Sequence, residues 1–185
     1  LISKKKNIIK NFNFKNEENK EVWSTFKTLS YEPPECLGAY VISMTASASD
    51  ILSVSFLQKE ANIKNKLRVV PLFETLDDLI NSKSIMQTLF SQKWYRKLIQ
   101  NKQEVMIGYS DSGKDAGKMC ASWHQYKAQE EIVKLAKKFN IEVIFFHGRG
   151  GSAGRGGGPI QATLRSLPPN SVNGKIRITD QGEVI

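Results

Sequence analysis

The chain has 185 residues, a formal net charge of +9 and a hydrophobic content of 40%. This length and composition are those of a globular protein with a core, and no apolar run reaches the roughly 20 residues that a membrane-spanning helix requires. The two cysteines, Cys36 and Cys120, lack a C-x-x-C spacing, so we expect free thiols in a reducing compartment, the cytoplasm, and neither a disulfide nor a zinc site.

The ends of the chain and the distribution of its charges indicate which part folds and which partners are expected. It begins with Leu1 and stops at Ile185 inside an expected strand, so we interpret it as an internal piece of a longer protein. Residues 1–20 are rich in Lys and Asn and predict a variable or disordered segment, whereas residues 21–185 are predicted to fold. Many positive charges lie in this opening segment, and others alternate with acids along KAQEEIVKLAKK. We therefore expect neither nucleic acid nor a membrane as partner.

Apolar, strand-like runs alternate with helix-like segments along the chain. The expected strands are AYVISM (39–44), LRVVPLF (67–73), EVMIGY (104–109), IEVIFF (141–146) and KIRIT (175–179). The expected helices are SDILSVSFLQKEA (49–61), a turn or short helix from Thr75, SIMQTLFSQKWYRKLIQ (84–100), a long helix from about Asp115 to Phe139, and PIQATLRSL (159–167). In the long helix, Met119, Trp123, Ile132, Ala136 and Phe139 recur at helical spacing.

The strand pattern indicates an α/β fold with parallel strands and large intervening helices. The strands are continuous apolar runs, as expected when both faces of a parallel sheet are covered. Strand starts at Leu67, Glu104 and Ile141 are evenly spaced, which is typical of repeated β/α units. An open doubly wound sheet and part of a (β/α)8 barrel both fit this pattern.

Reactive side chains fall where the expected strands end. Glu74 closes LRVVPLF, Asp111 lies just past EVMIGY, and His147 closes IEVIFF. Parallel α/β folds place their active sites at these carboxyl ends, because the loops that follow the strands converge there. Either acid alone is better explained as a helix cap or a surface carboxylate. The two together, at equivalent strand ends, predict a site for a hard divalent cation such as Mg²⁺.

The segment GYSDSGKD (108–115) matches the P-loop pattern G-x-x-x-x-G-K-[ST] except at its last position, where Asp115 replaces the hydroxyl that binds magnesium. A carboxylate at Asp111 would also repel phosphates. A nucleotide site is therefore a weak alternative. A loop that presents one acid to a metal and Lys114 to an anion is chemically coherent, and the simplest other explanation of Lys114 is a solvated loop lysine.

The segment FHGRGGSAGRGGGP (146–159) places one histidine and two arginines, Arg149 and Arg155, among seven glycines. Glycine lets backbone N–H groups approach a ligand closely, and arginine grips phosphate or carboxylate oxygens in pairs. An Arg-Gly nucleic-acid-binding segment and a flexible linker are the alternatives. The flanking strand and helix favour an ordered strand–loop–helix unit that binds an anion.

Taken together, these segments resemble the phosphoenolpyruvate carboxylase family from about Glu21 to the end of the chain. The motifs are AYVISMTASASDIL, LRVVPLFETLDDL, WYRKLIQNKQEVMIGYSDSGKDAGK, ASWHQYKAQEE, FHGRGGSAGRGGGP and RITDQGEVI. The glycine after Ser112 and the QGEVI ending look like the plant and protist side of the family. The resemblance implies that residues 21–185 are part of a helix-rich (β/α)8 TIM-type catalytic barrel, incomplete at both ends.

The family implies roles for individual residues. It uses Mg²⁺ or Mn²⁺ to carboxylate phosphoenolpyruvate with bicarbonate, through carboxyphosphate and enolpyruvate, giving oxaloacetate and phosphate. Glu74 and Asp111 match its metal ligands. The matching catalytic residues are Lys114, His147, Arg149 and Arg155. A second essential histidine of the family has no counterpart here, so we expect this piece alone to be inactive. The resemblance also implies that the full-length parent is a cytoplasmic homotetramer.

Overall fold

The computed structural model describes residue 9, residues 14–150 and residues 157–180. Five strands lie in these ranges: β1 (Ala39–Ile42), β2 (Arg68–Phe73), β3 (Lys102–Gly108), β4 (Glu142–Arg149) and β5 (Arg177–Asp180). The helices are α1 (Glu17–Tyr31), α2 (Ala48–Glu60), α3 (Leu76–Phe90), α4 (Lys93–Leu98), α5 (Ser110–Ala116), α6 (Lys118–Phe139) and α7 (Ile160–Ser166), with a short 3₁₀ turn at Pro34–Cys36. The predicted alternation of strands and helices is confirmed.

The strands form one sheet in the order β1-β2-β3-β4-β5. The pairings of β2 with β3, β3 with β4, and β4 with β5 are all parallel. An open doubly wound sheet reverses its strand order at a switch point, whereas a barrel keeps consecutive strands adjacent. The unbroken order, with helices between the strands, is that of part of a (β/α)8 barrel.

The central strands are buried along their length, as their continuous apolar sequences predicted. In β2 the residues from Val70 to Phe73 are buried, and in β3 those from Gln103 to Gly108. An exposed face would instead require polar residues at every second position. Helices therefore cover the sheet where β2 and β3 run side by side.

Two predicted helices are each divided in the structure. The helix expected from about Asp115 to Phe139 is two helices, α5 and α6, separated at Gly117, which has a φ of +76°. This left-handed backbone suits glycine and ends α5. The helix expected over 84–100 is likewise divided between α3 and α4 at Ser91 and Gln92.

Contacts divide the chain into two compact units, of which the first comprises the described residues of 1–40 and 49–69. Its core includes Phe26, whose ring stacks on Tyr40 at 5.1 Å between centroids. The buried Gln58 side chain accepts from the Leu67 N–H at 2.7 Å and donates to the Leu67 carbonyl at 3.2 Å. Helix α1 begins at Glu17, so the predicted boundary at residue 20 falls within a helix, and residues 1–8 and 10–13 lie outside the described part.

The second unit comprises residues 41–48 and the described part of 70–185. Helix α3 packs against α6, and Lys83 forms an ion pair with Glu131 between them. Its core contains large side chains that are almost fully buried, among them Phe73, Phe90 and Phe145. None of the helices in the described ranges combines the length and the apolar character needed to span a lipid bilayer.

Candidate active site

Strand register places the carboxyl ends of β2, β3 and β4 level with one another. Ile107 in β3 pairs with Phe73 on one side and with His147 on the other. Because Glu74 follows Phe73, it lies beside Gly108, and a Cβ built on Gly108 would be only 2.7 Å from the Glu74 Cβ. The structure therefore brings Glu74 and His147 to the same edge of the sheet.

Glu74 is half-buried and fixed by its backbone as well as its carboxylate. Its N–H donates to Oδ2 of Asp78 at 3.2 Å, and its Oε1 accepts from the Met44 N–H at 3.2 Å. Thr75 and Asp78 form a capping box at the start of α3, which fixes the turn that contains Glu74. Glu74 is thus an ordered carboxylate at the end of β2.

Asp111 and Lys114 lie on the first helix after β3 and contact each other. Lys114 Nζ is 3.0 Å from Asp111 Oδ1, and the two side chains are 69% and 52% exposed. A surface pair of this kind contributes little to stability, because water screens both charges. The prediction that this segment presents an acid and a lysine together to a ligand is compatible with this geometry.

The P-loop alternative does not fit the backbone of this segment. A P-loop wraps its backbone N–H groups around phosphates, but here residues 110–116 form helix α5. The N–H of Gly113 donates to the Tyr109 carbonyl, and that of Gly117 to the Gly113 carbonyl. Asp115, in place of the P-loop hydroxyl, accepts from the Leu76 N–H at 3.0 Å and so links α5 to the start of α3.

Helix α6 anchors the start of α5 through buried polar side chains. Gln125 on α6 donates to Ser112 Oγ at 2.7 Å and to the Gly108 carbonyl at 3.3 Å. Ser112 Oγ donates to the same carbonyl at 2.9 Å. These bonds fix the segment between β3 and α5 and so position Asp111.

His147 is fully buried in β4. Its Nδ1 lies 2.9 Å from the Tyr109 hydroxyl, and its Nε2 has no hydrogen-bond partner within the described ranges. Burial, assisted by the positive charge of Arg149, lowers the pKa of His147 to about 4. The imidazole is therefore neutral at physiological pH, and the described residues form a hydrogen bond with only one of its two nitrogens, Nδ1.

Arg149, at the end of β4, is also buried. Its Nη1 donates to Oγ1 of Thr163 on α7, while its Nε has no partner among the residues described. Its guanidinium carbon lies 5.8 Å from the centroid of the Tyr109 ring, within cation–π range. Burial raises the pKa of Tyr109 to about 12, and the charge of Arg149 partly opposes this rise.

Arg155, the remaining predicted site residue, lies outside the described residues, as does all of 151–156. Both flanks of the loop are described. Strand β4 ends at Arg149 and α7 begins at Ile160 after Pro159. The strand and the helix predicted on either side of the loop are therefore confirmed, and the role of Arg155 stays a prediction.

The donor set near the strand ends fits magnesium or manganese. Within the described part of the chain, no group of three or more His, Cys, Asp and Glu side chains gathers at one point. Zinc sites use three or four such ligands, whereas Mg²⁺ needs only one or two carboxylates and completes its octahedron with waters and substrate oxygens. Glu74 and Asp111, after adjacent strands, are a suitable pair.

Sequence reasoning missed three side chains that organise this site. They are Tyr109, which contacts His147; Thr163, which holds Arg149; and Gln125, which anchors α5. Gln125 left a signal in the sequence, because it is a polar residue at a buried position of an amphipathic helix. No pattern in the sequence indicated Tyr109 or Thr163. The contact of Tyr109 depends on strand register, and that of Thr163 depends on where α7 packs.

The sequence model described as Phosphoenolpyruvate carboxylase matches residues 1–185. The chain is 57% identical over 171 residues to C4 phosphoenolpyruvate carboxylase of Flaveria trinervia and also 57% identical to phosphoenolpyruvate carboxylase 3 of Arabidopsis thaliana, covering 92% of this chain and 18% of each relative. A phosphoenolpyruvate carboxylase of Acinetobacter baylyi is 58% identical over 166 residues. Plant and bacterial relatives are thus similar to this chain to nearly the same degree, and the chain spans less than a fifth of their length.

Proposed function

The chain belongs to the phosphoenolpyruvate carboxylase family, and we propose that the longer protein that carries it converts phosphoenolpyruvate and bicarbonate to oxaloacetate and phosphate. One observation supports this above the others. Two carboxylates that suit Mg²⁺ follow adjacent strands whose carboxyl ends lie level with His147 and Arg149, two buried side chains that each have one nitrogen without a partner among the described residues. This combination suits a trianionic substrate that binds together with a divalent cation.

We propose that the reaction has two steps. The phosphoryl group of phosphoenolpyruvate passes to a bicarbonate oxygen, which breaks the P–O bond to the enol carbon and leaves carboxyphosphate and the enolate of pyruvate. The C–O bond of carboxyphosphate then breaks to give carbon dioxide and phosphate, with the carboxyl proton passing to the phosphate, and the enolate carbon forms a carbon–carbon bond to the carbon dioxide. Phosphoryl transfer depends mainly on positioning and on cationic groups beside the oxygens that gain charge.

Glu74 and Asp111 would hold the Mg²⁺ or Mn²⁺ ion. When bound, the ion stabilises the negative charge that develops on the reacting oxygens. The two carboxylates differ in burial and in how firmly hydrogen bonds hold them. Glu74 is half-buried and hydrogen-bonded to the backbone of Met44, whereas Asp111 is exposed on α5. Glu74 would thus set the position of the ion, and Asp111 would exchange its contact with Lys114 for one with the ion.

Lys114 is suited to act on the substrate once Asp111 binds the metal. Its ammonium group is exposed and contacts one carboxylate oxygen. Such a pair breaks at little cost, because water already screens it. The released ammonium would then donate to a phosphoryl or enolate oxygen of the substrate and stabilise the charge that forms there.

His147 and Arg149 would supply buried donors to the anionic substrates. Arg149 has Nη1 fixed by Thr163 and Nε unpartnered among the described residues. His147 is neutral at the pH of the cell, so it would serve as a hydrogen-bond donor without carrying charge. Both side chains are shielded from solvent, which would protect the enolate from protonation by water. Arg155 would complete this group.

The other expectations for the full-length protein remain proposals. We propose a cytoplasmic homotetramer with phosphoenolpyruvate and bicarbonate as its small-molecule substrates, and neither nucleic acid nor membrane as partner. The Arg-Gly alternative is disfavoured at Arg149, because this side chain is buried and bonded to Thr163, whereas nucleic-acid-binding arginines are exposed to the backbone phosphates. Because the chain spans 18% of its relatives, we propose that it is inactive alone.

The test is bicarbonate-dependent oxaloacetate formation by the full-length protein, followed through reduction of oxaloacetate by malate dehydrogenase and NADH. We expect Glu74→Gln and Lys114→Ala each to reduce kcat/KM more than about 100-fold, since even groups that only support metal ligands cost 10- to 100-fold. Glu74→Gln should also raise the Mg²⁺ concentration needed for half-maximal activity.

The matched control for Lys114→Ala is Lys102→Ala. Lys102 also forms an exposed ion pair with a carboxylate, that of Glu142, but at the opposite end of β3. We expect its activity to stay within about twofold of wild type, as for a surface pair of small energy. A folded wild-type protein without this activity, or a loss in Lys102→Ala equal to that in Lys114→Ala, would contradict the proposal.

A further inference from the structure

Tyr109 lies between the segment that carries the carboxylate Asp111 and the two buried side chains of β4. Its hydroxyl is 2.9 Å from Nδ1 of His147, and its ring centroid is 5.8 Å from the guanidinium carbon of Arg149. Its carbonyl accepts from the Gly113 N–H at 3.2 Å, in the first turn of α5. Tyr109 is therefore fixed at its backbone by α5 and contacts both β4 side chains through its phenol ring.

The direction of the Tyr109–His147 hydrogen bond follows from the polar atoms that each arrangement satisfies. If Tyr109 donates its O–H to Nδ1, the phenol proton and Nδ1 are both satisfied and the ring proton is on Nε2. If Nδ1 donates instead, both the phenol proton and the Nε2 lone pair lack partners within the described ranges. Buried polar groups without partners are costly, so the first arrangement is favoured.

Arg149 favours the same arrangement. A positive charge near the phenol ring polarises the O–H group and makes it a better donor. The same charge disfavours a proton on both ring nitrogens of His147, because like charges repel in a buried site. The imidazole therefore keeps one proton, and that proton is on the nitrogen for which the described residues provide no acceptor.

We propose that Tyr109 is a positioning residue that donates its O–H to Nδ1 of His147 and thereby holds the imidazole proton on Nε2, where it is donated to an anionic oxygen of the substrate. The ligand class is a carboxylate, phosphate or bicarbonate oxygen, which accepts hydrogen bonds and cannot donate from the charged atom. The identity of that ligand rests on the proposed function. The tautomer itself rests only on the contacts of Tyr109, His147 and Arg149.

The first test is the ¹⁵N NMR spectrum of full-length protein labelled in its histidine rings, measured without substrate in the solid state. The signals of His147 are identified as those that disappear in His147→Asn. We expect the wild-type ring to be protonated at Nε2 and bare at Nδ1. A wild-type ring protonated at Nδ1 would overturn the proposal without any variant of Tyr109.

The second test is Tyr109→Phe, which removes the hydroxyl and keeps the ring beside Arg149. We expect the two His147 nitrogen signals to move towards each other as both tautomers become populated. We also expect the KM for phosphoenolpyruvate or bicarbonate to rise about 3- to 10-fold with a smaller change in kcat, which corresponds to loss of one neutral hydrogen bond.

Tyr126→Phe is the matched control. Tyr126 lies on α6 and stacks on Trp123 at 6.5 Å between centroids, whereas the ring contacts of His147 among the described residues are with Tyr109 and Phe145. It should change neither the nitrogen signals nor KM. Unchanged His147 signals in Tyr109→Phe would overturn the proposal whatever the activity. An inactive wild-type protein with the expected tautomer would instead contradict the proposed function and leave the role of Tyr109 in setting the tautomer supported.

Discussion

Buried polar side chains at the two ends of the parallel strands differ in whether their polar atoms have partners. Towards the amino ends, Glu104 in β3 pairs with Arg177 at 2.7 Å, and the amide of Gln103 accepts from the Tyr95 hydroxyl at 2.7 Å. Towards the carboxyl end of β4, Nε2 of His147 and Nε of Arg149 are two of the three buried polar side-chain atoms without a partner that the described part of the chain contains.

We interpret this difference as one between groups that stabilise the fold and groups that a bound ligand would satisfy. A buried polar atom without a partner loses its bonds to water and gains none in return, which costs about 1–3 kcal/mol. Structures retain such atoms mainly where a ligand or water will satisfy them. The amino ends thus contribute stability, whereas the carboxyl ends give up stability that substrate binding would restore.

The largest expected effect comes from Gly108→Ala, which would displace the backbone at the carboxyl ends of the strands. The new Cβ would lie 2.7 Å from Glu74 Cβ and 3.0 Å from Glu74 Cα, so Glu74 must shift. We expect kcat/KM to fall more than about 100-fold, because misplacing a catalytic group by about 1 Å has that effect. The Mg²⁺ dependence of the rate should change as well.

Gly38→Ala is the control for this substitution. A Cβ at Gly38 meets nothing within 4 Å, so the change adds a methyl group without a clash. Activity should be that of wild type. Wild-type kinetics in Gly108→Ala would show that the position of Glu74 does not matter to the site and would contradict the comparison between the two edges.

The second prediction concerns the pH dependence that the buried His147 imposes. Its pKa is about 4 in the folded protein and near 6.5 when exposed. Between these two values the unfolded chain binds more protons than the folded protein. The free energy of unfolding is therefore unaffected by His147 above pH 6.5 and falls as the pH is lowered towards 4. The total loss attributable to this residue is about 3 kcal/mol.

Thermal unfolding of wild type and His147→Asn between pH 7.5 and pH 5 measures this effect. Wild type should lose more Tm on acidification than the variant, which has no titrating group at this position. Parallel losses in the two proteins would mean that His147 does not carry the predicted charge penalty. His124, the other histidine of the chain, is only half-buried and supplies the control variant His124→Asn.

The sequence predicted the strands and the residues that follow their carboxyl ends, because these depend on local patterns. Continuous apolar runs identified five strands, and the parallel order then placed Glu74, Asp111 and His147 at carboxyl ends. The roles assigned to these residues came from a resemblance between six motifs and one family. Neither inference required knowledge of the register in which the strands pair.

What the sequence could not predict depends on register, backbone conformation and the surroundings of each helix. Gly117 divides a helix because of its positive φ, which the sequence does not specify. Met119 and Trp123 have the spacing of core residues but are 88% and 58% exposed. The contact of Tyr109 with His147 requires β3 and β4 to pair in one particular register, and no local pattern encodes that.

The third prediction tests the amino ends of the strands directly. Glu104→Gln keeps the shape of a side chain that is 5% exposed but removes the charge that pairs with Arg177, which is 44% exposed. Because water partly screens the arginine, we expect a loss of about 1–2 kcal/mol in the free energy of unfolding, towards the low end for hydrogen bonds to charged groups. The KM for substrate should not change, and a rise in KM with unaltered Tm would show that this end also serves the site.

The smallest expected effect is that of Lys102→Ala on stability. Lys102 Nζ lies 3.4 Å from Glu142 Oε2, and the side chains are 65% and 34% exposed. We expect about 0.5 kcal/mol or less, because two solvated charges at this distance gain little from pairing. Tm measured for Lys102→Ala, Glu142→Ala and the double variant isolates the pair energy. A pair energy as large as the loss in Glu104→Gln would mean that the more exposed ion pair stabilises the protein as much as the buried one. The ion pairs on the surface of the sheet would then also stabilise the fold.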